Sequence, residues 1–450
     1  YHTDWLNMMY PRLKLARNLL REDGVIFISI DDNENSNLIR IGDEIFSENN
    51  RLAILIWKKK YTGGKGSSTF ADYHEYILVY SKDKNSIGEI SMARPEEEKE
   101  KFIYKDKYFN ERGRYYTRPL KSNLDPRPTL VYPIELPDGS SVTTQWICAK
   151  DTYEKLKLEG RIEFKDSFTS EYPVYKKFYE FDSDGKVKIP SFIEISNNNE
   201  AKSELKNIFN IKQTRDLPFQ TPKPTPLLKL FIDNFTEEND IIMDFFSGSA
   251  STAHAVFSSN IENNTNKRFL MVQLPEKLPE KDDIRGNEFL NICEIGKERI
   301  RRAGDKIVSE NKDKEGIENL DIGFKVFKLD SSNLKSWDSS IDNLEQNLLD
   351  MESNLKKDRT NEDLLYEILL KSGVELTAKI EEIKVGYNTL YNIGQGALLA
   401  CLDDKITQDV IDEIPKHRSP FMDTKVIFKE AGFMSDAAKI NAVQNLKQFK

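Results

Sequence analysis

The chain has 450 residues, 31% charged and 38% hydrophobic, with a net charge of −9, a length that holds roughly two to four domains and at least one large core. No apolar run approaches the ~20 residues of a membrane helix, and "YHTDWLNMMY" lacks the basic, apolar, small-residue order of a secretory signal. Cys148, Cys293 and Cys401 match no zinc or redox spacing and the four histidines form no metal pair, so reduced thiols in a cytoplasmic, metal-free protein are expected.

Residues 4–20 read as a helix, with Trp5, Leu6, Met9, Leu13, Ala16 and Leu20 near helical spacing. "EDGVIFISIDDNE" gives a turn, an apolar strand and an acidic loop. A strand so uniformly apolar predicts burial on both faces, as in a parallel sheet. A helix around "NLIRIGDEIF" follows, then strands "RLAILIWKK" and "HEYILVYSK" joined by the Gly/Ser-rich loop "YTGGKGSSTF", expected to be mobile.

Residues 86–215 change character, mixing aromatic and basic side chains in "RGRYYTRPLKSN" and "EYPVYKKFYEF". "LVYPIELPDGSSVTTQWICAK" reads as a hairpin around Asp138-Gly139, and the whole stretch as a separate β-rich insertion. Residues 101–190 hold 17 Lys and Arg against 14 Asp and Glu, a net of +3, which leaves −12 for the rest. A mildly basic middle in an acidic chain permits local phosphate contact.

From Thr221 an α/β alternation returns: helix "PLLKLFIDNF", strand "DIIMDFF", helix "STAHAVFSSN", strand "RFLMVQLPE", helix "FLNICEIGKERIRRAGDKI", strand "FKVFKL". Such alternation argues for a doubly wound sheet. The tail reads as mostly helical. Ile341, Leu344, Leu348, Met351 and Leu355 fit either a short coiled coil or an ordinary amphipathic helix. "TNEDLLYEILLKSG" offers Thr360 as an N-cap and Gly373 as a stop.

The chemistry concentrates in "MDFFSGSASTAHAV" at 243–256. There a strand must turn sharply into a helix. Gly248 can take positive φ, small Ser247, Ser249 and Ala250 let a ligand reach the backbone, and the helix aims N–H groups at it. Gln273 and Glu276, after the next strand, stand at about the ~20-residue offset at which dinucleotide folds hold a ribose. A single Gly is a weak signal, and a plain tight turn explains it equally well.

Its neighbours narrow the choice. "TPKPTPLLKLFIDNF" before the loop, "RFLMVQLPEK" and "NICEIGKERIRRAG" after it, and "WLNMMYPRLKLARNLLREDGVIFISIDDNE" and "ADYHEYILVYSK" upstream resemble the amino-group DNA methyltransferases. The likeness is to modification subunits of type III restriction-modification systems. It implies a Rossmann-like methyltransferase sheet with permuted motif order, carrying a β-rich target-recognition insertion and a mostly helical C-terminal domain. Residues 1–85 would be the catalytic half, 86–215 the recognition domain, 216–330 the S-adenosylmethionine half and 331–450 a subunit-interaction domain. By the same resemblance Asp244, Phe246, Gly248, Ser249 and Thr252 match the S-adenosylmethionine motif and Lys223 the short motif before it, while Gln273 stands where relatives carry a ribose-binding carboxylate. Asp31, Asp32 and Asn33 follow a strand and would face the site at its carboxyl edge, or simply cap a helix. His74 and Glu75 read as structural.

The resemblance implies methyl transfer to adenine N6 of double-stranded DNA with the target base flipped out, by a dimer working with an ATP-dependent restriction subunit; no membrane partner is expected. The family's Asp-Pro-Pro-Tyr motif is absent, for the chain contains no Pro-Pro pair, and "DPRP" at 125–128 and "DLPF" at 216–219 read as chance. The motif is expected upstream of Tyr1, so the chain reads as a fragment, inactive by itself, with a gap in its sheet. Cytosine-C5 chemistry is disfavoured, since no Cys follows Pro; cytosine N4 stays open on the residues alone. Arg112, Arg114, Arg118 and Lys121 are the expected DNA contacts, and Tyr115, Tyr116 and Trp146 would stack on bases or form the insertion's core. The rivals are a nicotinamide oxidoreductase, disfavoured by its missing glycines, and a non-catalytic recognition or assembly subunit.

Overall fold

The computed structural model describes residues 2–61, 70–165, 173–278, 289–335, 355–356 and 358–448. They form two compact units, residues 1–322 and 323–450.

The first unit opens with α1 (His2–Leu19), β1 (Val25–Ile30), α2 (Asn35–Phe46), β2 (Arg51–Lys58) and β3 (His74–Ser81). Met9, Leu13 and Ala16 make one buried stripe of α1, and Leu38, Ile41 and Phe46 one of α2. The two stripes close over Ile26, Leu78 and Tyr80. Gly42 is what lets α2 come so near, because a β-carbon there would lie 2.7 Å from the Tyr80 ring. β3 pairs antiparallel with both β1 and β2. The parallel, doubly buried setting expected for β1 is therefore not its arrangement. It is an edge strand among the described residues and its side chains are mostly half-exposed.

The insertion carries β4 (Met92–Ala93), the short helices α3 (Glu96–Lys99) and α4 (Phe109–Arg112), β5 (Tyr115–Pro119), β6 (Val131–Glu135), β7 (Ser141–Gln145), α5 (Lys150–Leu158), β8 (Ile162–Phe164), β9 (Val174–Tyr179) and β10 (Lys186–Val187). β6 and β7 form the hairpin read from Asp138-Gly139, whose Asp138 Oδ1 accepts from the Ser140 amide at 2.9 Å. β5, β9 and β8 form an antiparallel sheet over Leu120, Tyr132, Ile134, Trp146, Tyr153 and Val174.

β11 (Phe192–Ile193) pairs with β2, and α6 (Asn198–Phe209) packs Leu205, Ile208 and Phe209 with Ile295 and Ala303. The insertion therefore returns to the core earlier than residue 215, because the apolar face of α6 is covered there. α7 (Thr225–Phe235), β12 (Ile241–Asp244), α8 (Ser251–Asn263), β13 (Arg268–Met271) and α9 (Ile292–Glu310) follow. β12 and β13 are parallel and joined through α8.

α7 spans both sheets. Leu227, Leu230 and Phe231 pack on Leu55, Trp57, Ile77 and Val79, with Phe231 stacked on Phe27 at 4.3 Å. Leu228 and Ile232 pack on Ile242, Ala255, Val256 and Phe269. Arg21, before β1, meets Asp240, before β12, at 2.7 Å, and Phe245 beyond β12 packs on the α1–α2 cluster that also takes Ile28 and Ile30. β1 and β12 thus run the same way, and among the described residues each has a strand neighbour on one side only.

Among its described residues the second unit is not the mostly helical body expected, for a sheet lies between its helices. α10 (Asn361–Lys371) is capped by Thr360 and Asp363 in a reciprocal box. Then come β14 (Ile380–Val385), β15 (Asn388–Ile393), β16 (Leu398–Cys401), α11 (Gln408–Glu413), β17 (Lys425–Phe428) and α12 (Asp436–Lys447). The four strands form one sheet, antiparallel except for β16 and β17. β16 is buried along its whole length, so its apolar residues carried no helical or alternating period. "FKVFKL" forms no strand. Ile341, Leu344, Leu348 and Met351 lie outside the described residues, as does most of "YTGGKGSSTF".

Candidate cofactor and nucleic-acid site

The shared strand direction gathers the end of β1, the end of β2, the start of β3 and the end of β12 at one edge. This is where ligands bind in open α/β sheets.

The loop after β12 is shaped from within. Asp244 accepts from the Phe246 amide at 3.1 Å and from the Thr252 hydroxyl at 2.6 Å. Gly248 has φ 49° and Ala250 φ 58°, so a left-handed residue other than glycine leads into α8. Gln273 Oε1 accepts the Gly248 amide at 2.8 Å. The Ser249 and Ser251 hydroxyls accept from Arg299 Nη1 at 3.1 and 2.6 Å. Of the residues matched to the cofactor motif, Asp244, Ser249, Thr252 and Gln273 thus turn their polar atoms to the loop itself. They shape the loop from within, and the Phe246, Ser247, Gly248 and Ala250 amides are likewise donated inside the protein; Phe246, 52% accessible, is the exposed side chain of the loop. Glu276 is exposed on the segment after β13.

Arg299 is fully buried, and its Nη2 donates to Glu204 Oε1 at 2.7 Å. The same carboxylate receives His254 Nδ1 at 2.9 Å, the Thr225 hydroxyl, and the Thr225 amide at 3.2 Å. Burial pushes the Glu204 carboxyl up, but the His254 hydrogen bond and the Arg299 charge outweigh it and hold it down at about 2. Burial draws the Arg299 guanidinium below its ordinary value, against the pull of Glu204. Sequence reading missed all four residues. One signal was present: Arg299 interrupts the buried stripe Ile295, Gly296, Ile300, Ala303 and Ile307, and a charge in such a stripe needs a partner.

Phe219, in the "DLPF" set aside as chance, lies over the loop. A β-carbon at Gly248 would be 3.1 Å from its Cζ. A few residues on, Lys223 pairs with Glu75 and sits over the Trp57 ring at 4.9 Å. Lys59, buried among these groups, meets Asp72 at 2.7 Å and Glu75 at 3.6 Å. Glu75, read from sequence as structural, therefore joins strand β3 to the segment before α7. On the β1 side, Asp31 accepts from the Asn33 amide and side chain, both at 3.0 Å. A hydrogen bond to Asp32, after burial, pushes the Tyr76 hydroxyl up. Glu34 is the residue before α2, and it makes no side-chain cap. Asp31, Asp32 and Asn33 thus order the loop at the strand edge and do not cap the helix.

The four expected DNA contacts divide. Arg112 donates to the Glu159 carbonyl at 2.8 Å and stacks on Tyr108 at 4.1 Å, which makes it part of the insertion's own packing. Lys121 is half-buried and its backbone bridges Trp146. Arg114 and Arg118 are exposed, Arg118 lying over Tyr116 and Phe178. Trp146 is buried and donates Nε1–H to the Tyr132 carbonyl at 2.8 Å, so it is core. Tyr115 is buried too.

Among the described residues no cluster of metal-ligating side chains occurs, and no helix is long and apolar enough to cross a membrane. The DNA methylase family model, N6_N4_Mtase, matches residues 1–305. The chain is 32% identical over 329 residues to the Mod subunit of the type III restriction-modification enzyme StyLTI of Salmonella typhimurium, covering 73% of this chain and 48% of that protein. It is 32% identical over 424 residues to the EcoP15I Mod subunit of Escherichia coli, covering 86% of this chain and 62% of that one. The chain spans about half to three-fifths of the length of these curated relatives. A putative DNA modification methylase from Thermus thermophilus, solved with S-adenosyl-L-methionine, aligns over 67% of this chain and 78% of its own at 13% identity and a TM-score of 0.30, too slight a likeness to build on. On the family match over residues 1–305, the chain belongs to the DNA methylase family.

Proposed function

We propose that this chain is the modification subunit of a type III restriction-modification system, transferring a methyl group from S-adenosylmethionine to adenine N6 in double-stranded DNA. The observation that carries the reading is one sheet edge that combines an internally braced small-residue loop after β12, the Lys223–Glu75 pair and the ordered Asp31–Asn33 loop. The loop fits the cofactor: small residues, the exposed Phe246 and the N-terminus of α8 suit an adenosine and an amino-acid end. Phe246, Gly248, Lys223, Glu276, Asp32 and Asn33 would hold it. When bound, S-adenosylmethionine supplies an electrophilic methyl group. The chain's task is then to keep water out and to hold the flipped base in line with that methyl.

The exocyclic amine needs acceptors for its two N–H groups, which aim its lone pair at the methyl, and one of those two protons has to leave as the methyl is gained. We place the acceptors on an Asp-Pro-Pro-Tyr segment, a motif these residues do not contain, seated as a strand between β1 and β12, where among the described residues each has an open side. Arg114 and Arg118 would meet DNA from the insertion. The likeness to Mod subunits further supports pairing with a second copy and with a restriction subunit.

Three measurements test this. Calorimetry should show S-adenosylmethionine bound and NAD ignored; the reverse would favour an oxidoreductase. Transfer of labelled methyl to duplex DNA should need a chain that includes the Asp-Pro-Pro-Tyr segment, and turnover by the 450 residues alone would refute that placement. Nucleoside mass spectrometry should find N6-methyladenine; N4-methylcytosine would move the chain to the other amine.

A further inference from the structure

One carboxylate collects four helices. Glu204 on α6 takes donors from the first residue of α7 (Thr225), from α8 (His254) and from α9 (Arg299). Each donor sits next to a segment that faces the candidate edge. Thr225 directly follows Lys223 and Pro224. Arg299 passes the connection on to Ser249 and Ser251, the residues on either side of left-handed Ala250. Beside it Gly296 brings α9 against the same loop, since a β-carbon there would lie 3.4 Å from the Gly248 carbonyl and 3.5 Å from the Ala250 methyl.

None of these groups is needed to close a hydrophobic core, and burying them carries a cost. Ion pairs taken from water are seldom net stabilising against apolar residues of similar volume. What such a cluster supplies is direction. A guanidinium with fixed donors holds two hydroxyls at fixed points, and a carboxylate with four donors has little freedom to move. A left-handed residue other than glycine persists only where its surroundings determine it, and here the two flanking serines are held from beneath.

We infer that Glu204 and Arg299 are positioning residues that set the shape of loop 245–251 and its placement relative to Lys223, so that both segments face a single ligand. They touch no ligand themselves. The inference rests on the cofactor reading for what that ligand is, but the positioning itself can be read without any ligand.

The test uses amide hydrogen exchange of the chain, read over residues 245–252, with S-adenosylmethionine calorimetry beside it. Variants are Glu204→Gln, Arg299→Lys, and the milder Ser249→Ala and Ser251→Ala, which each remove one hydroxyl. Loop amides should exchange about tenfold faster in Ser251→Ala and Glu204→Gln, the size expected for loss of one charge-assisted hydrogen bond. Exchange in β2 and β3 should stay unchanged. S-adenosylmethionine affinity should fall by a similar factor, and the Glu204→Gln/Ser251→Ala double variant should lose little more than either single one. If Glu204→Gln loosens residues 1–322 throughout, the serine variants decide. Loop exchange at the wild-type rate in both serine variants overturns the proposal, as does full additivity in the double variant. A wild-type chain that takes up no S-adenosylmethionine, while its loop still loosens in the variants, would sink the cofactor reading and leave the positioning role supported.

Discussion

Ala250 offers a test whose opposing contributions can be set against each other. It holds φ 58° and ψ 40°, leads into α8, and is 2% exposed. An L-residue in this region costs about 1 kcal/mol, which Ala250→Gly would relieve. Glycine also adds about 0.5–1 kcal/mol of freedom to the unfolded chain. Removing the buried methyl costs roughly another 0.8 kcal/mol. The contributions nearly cancel, so Ala250→Gly should move stability by less than about 1 kcal/mol. Ala250→Val should cost about 3 kcal/mol or more, because a β-branched residue is a true outlier at this φ and its extra methyls would press on α9 at Gly296. The assay is urea unfolding followed by tryptophan fluorescence in a Trp337→Phe background, which leaves Trp5, Trp57 and Trp146 to report on residues 1–322. Stabilisation by glycine above about 2 kcal/mol would mean that the loop stores far more strain than a left-handed alanine explains. A valine tolerated within about 1 kcal/mol would mean that the loop is not held against α9 at all.

The other expectations concern different parts of the first unit. Arg114→Ala and Arg118→Ala should each weaken duplex DNA binding and reduce its salt slope by about one, whereas Arg112→Ala should lower the melting temperature of the insertion; equal effects on DNA from all three would contradict the division drawn between them. The folded Glu204 carboxyl ionises at about 2 against 4.5 ordinarily, so its contribution is full above pH 4.5 and fades as pH falls toward 2. That contribution is on the order of 3 kcal/mol, and Glu204→Gln should flatten the acid limb of a stability-versus-pH curve; an unchanged limb would place the acid sensitivity elsewhere. Gly42→Ala would put a β-carbon 2.7 Å from Tyr80, which is buried and bonded to Asp43 at 2.9 Å. A loss of about 2 kcal/mol is expected, after about 1 kcal/mol of helix propensity is credited, and a stabilised variant would mean that Tyr80 can turn aside.

The sequence by itself determined the elements whose side-chain period is strong. α1, α2, α7 and α9 each show a buried stripe, the β6–β7 hairpin turns at Asp138-Gly139, and "MDFFSGSASTAHAV" could only be a strand, a tight turn and a helix. Those are local properties, written in spacing and in the few residues that tolerate a turn. It also located the candidate edge, because the order of strand, loop and helix puts loops at strand ends. What it could not determine was where a polar side chain points. Ser249, Thr252, Asp244 and Gln273 were read as facing a ligand, and the fold turns them inward, because loop amides and a buried guanidinium need partners more than solvent does. Glu204 and Arg299 lie 95 residues apart in the chain, at 2.7 Å, a meeting no spacing rule reaches. The sheet of the second unit was missed for a related reason. A strand buried on both faces, as β16 is, shows no alternation, and only its neighbours reveal it. Loop chemistry and period belong to the sequence; the direction of a polar atom belongs to the packed structure, where the cost of leaving it unpaired is decided.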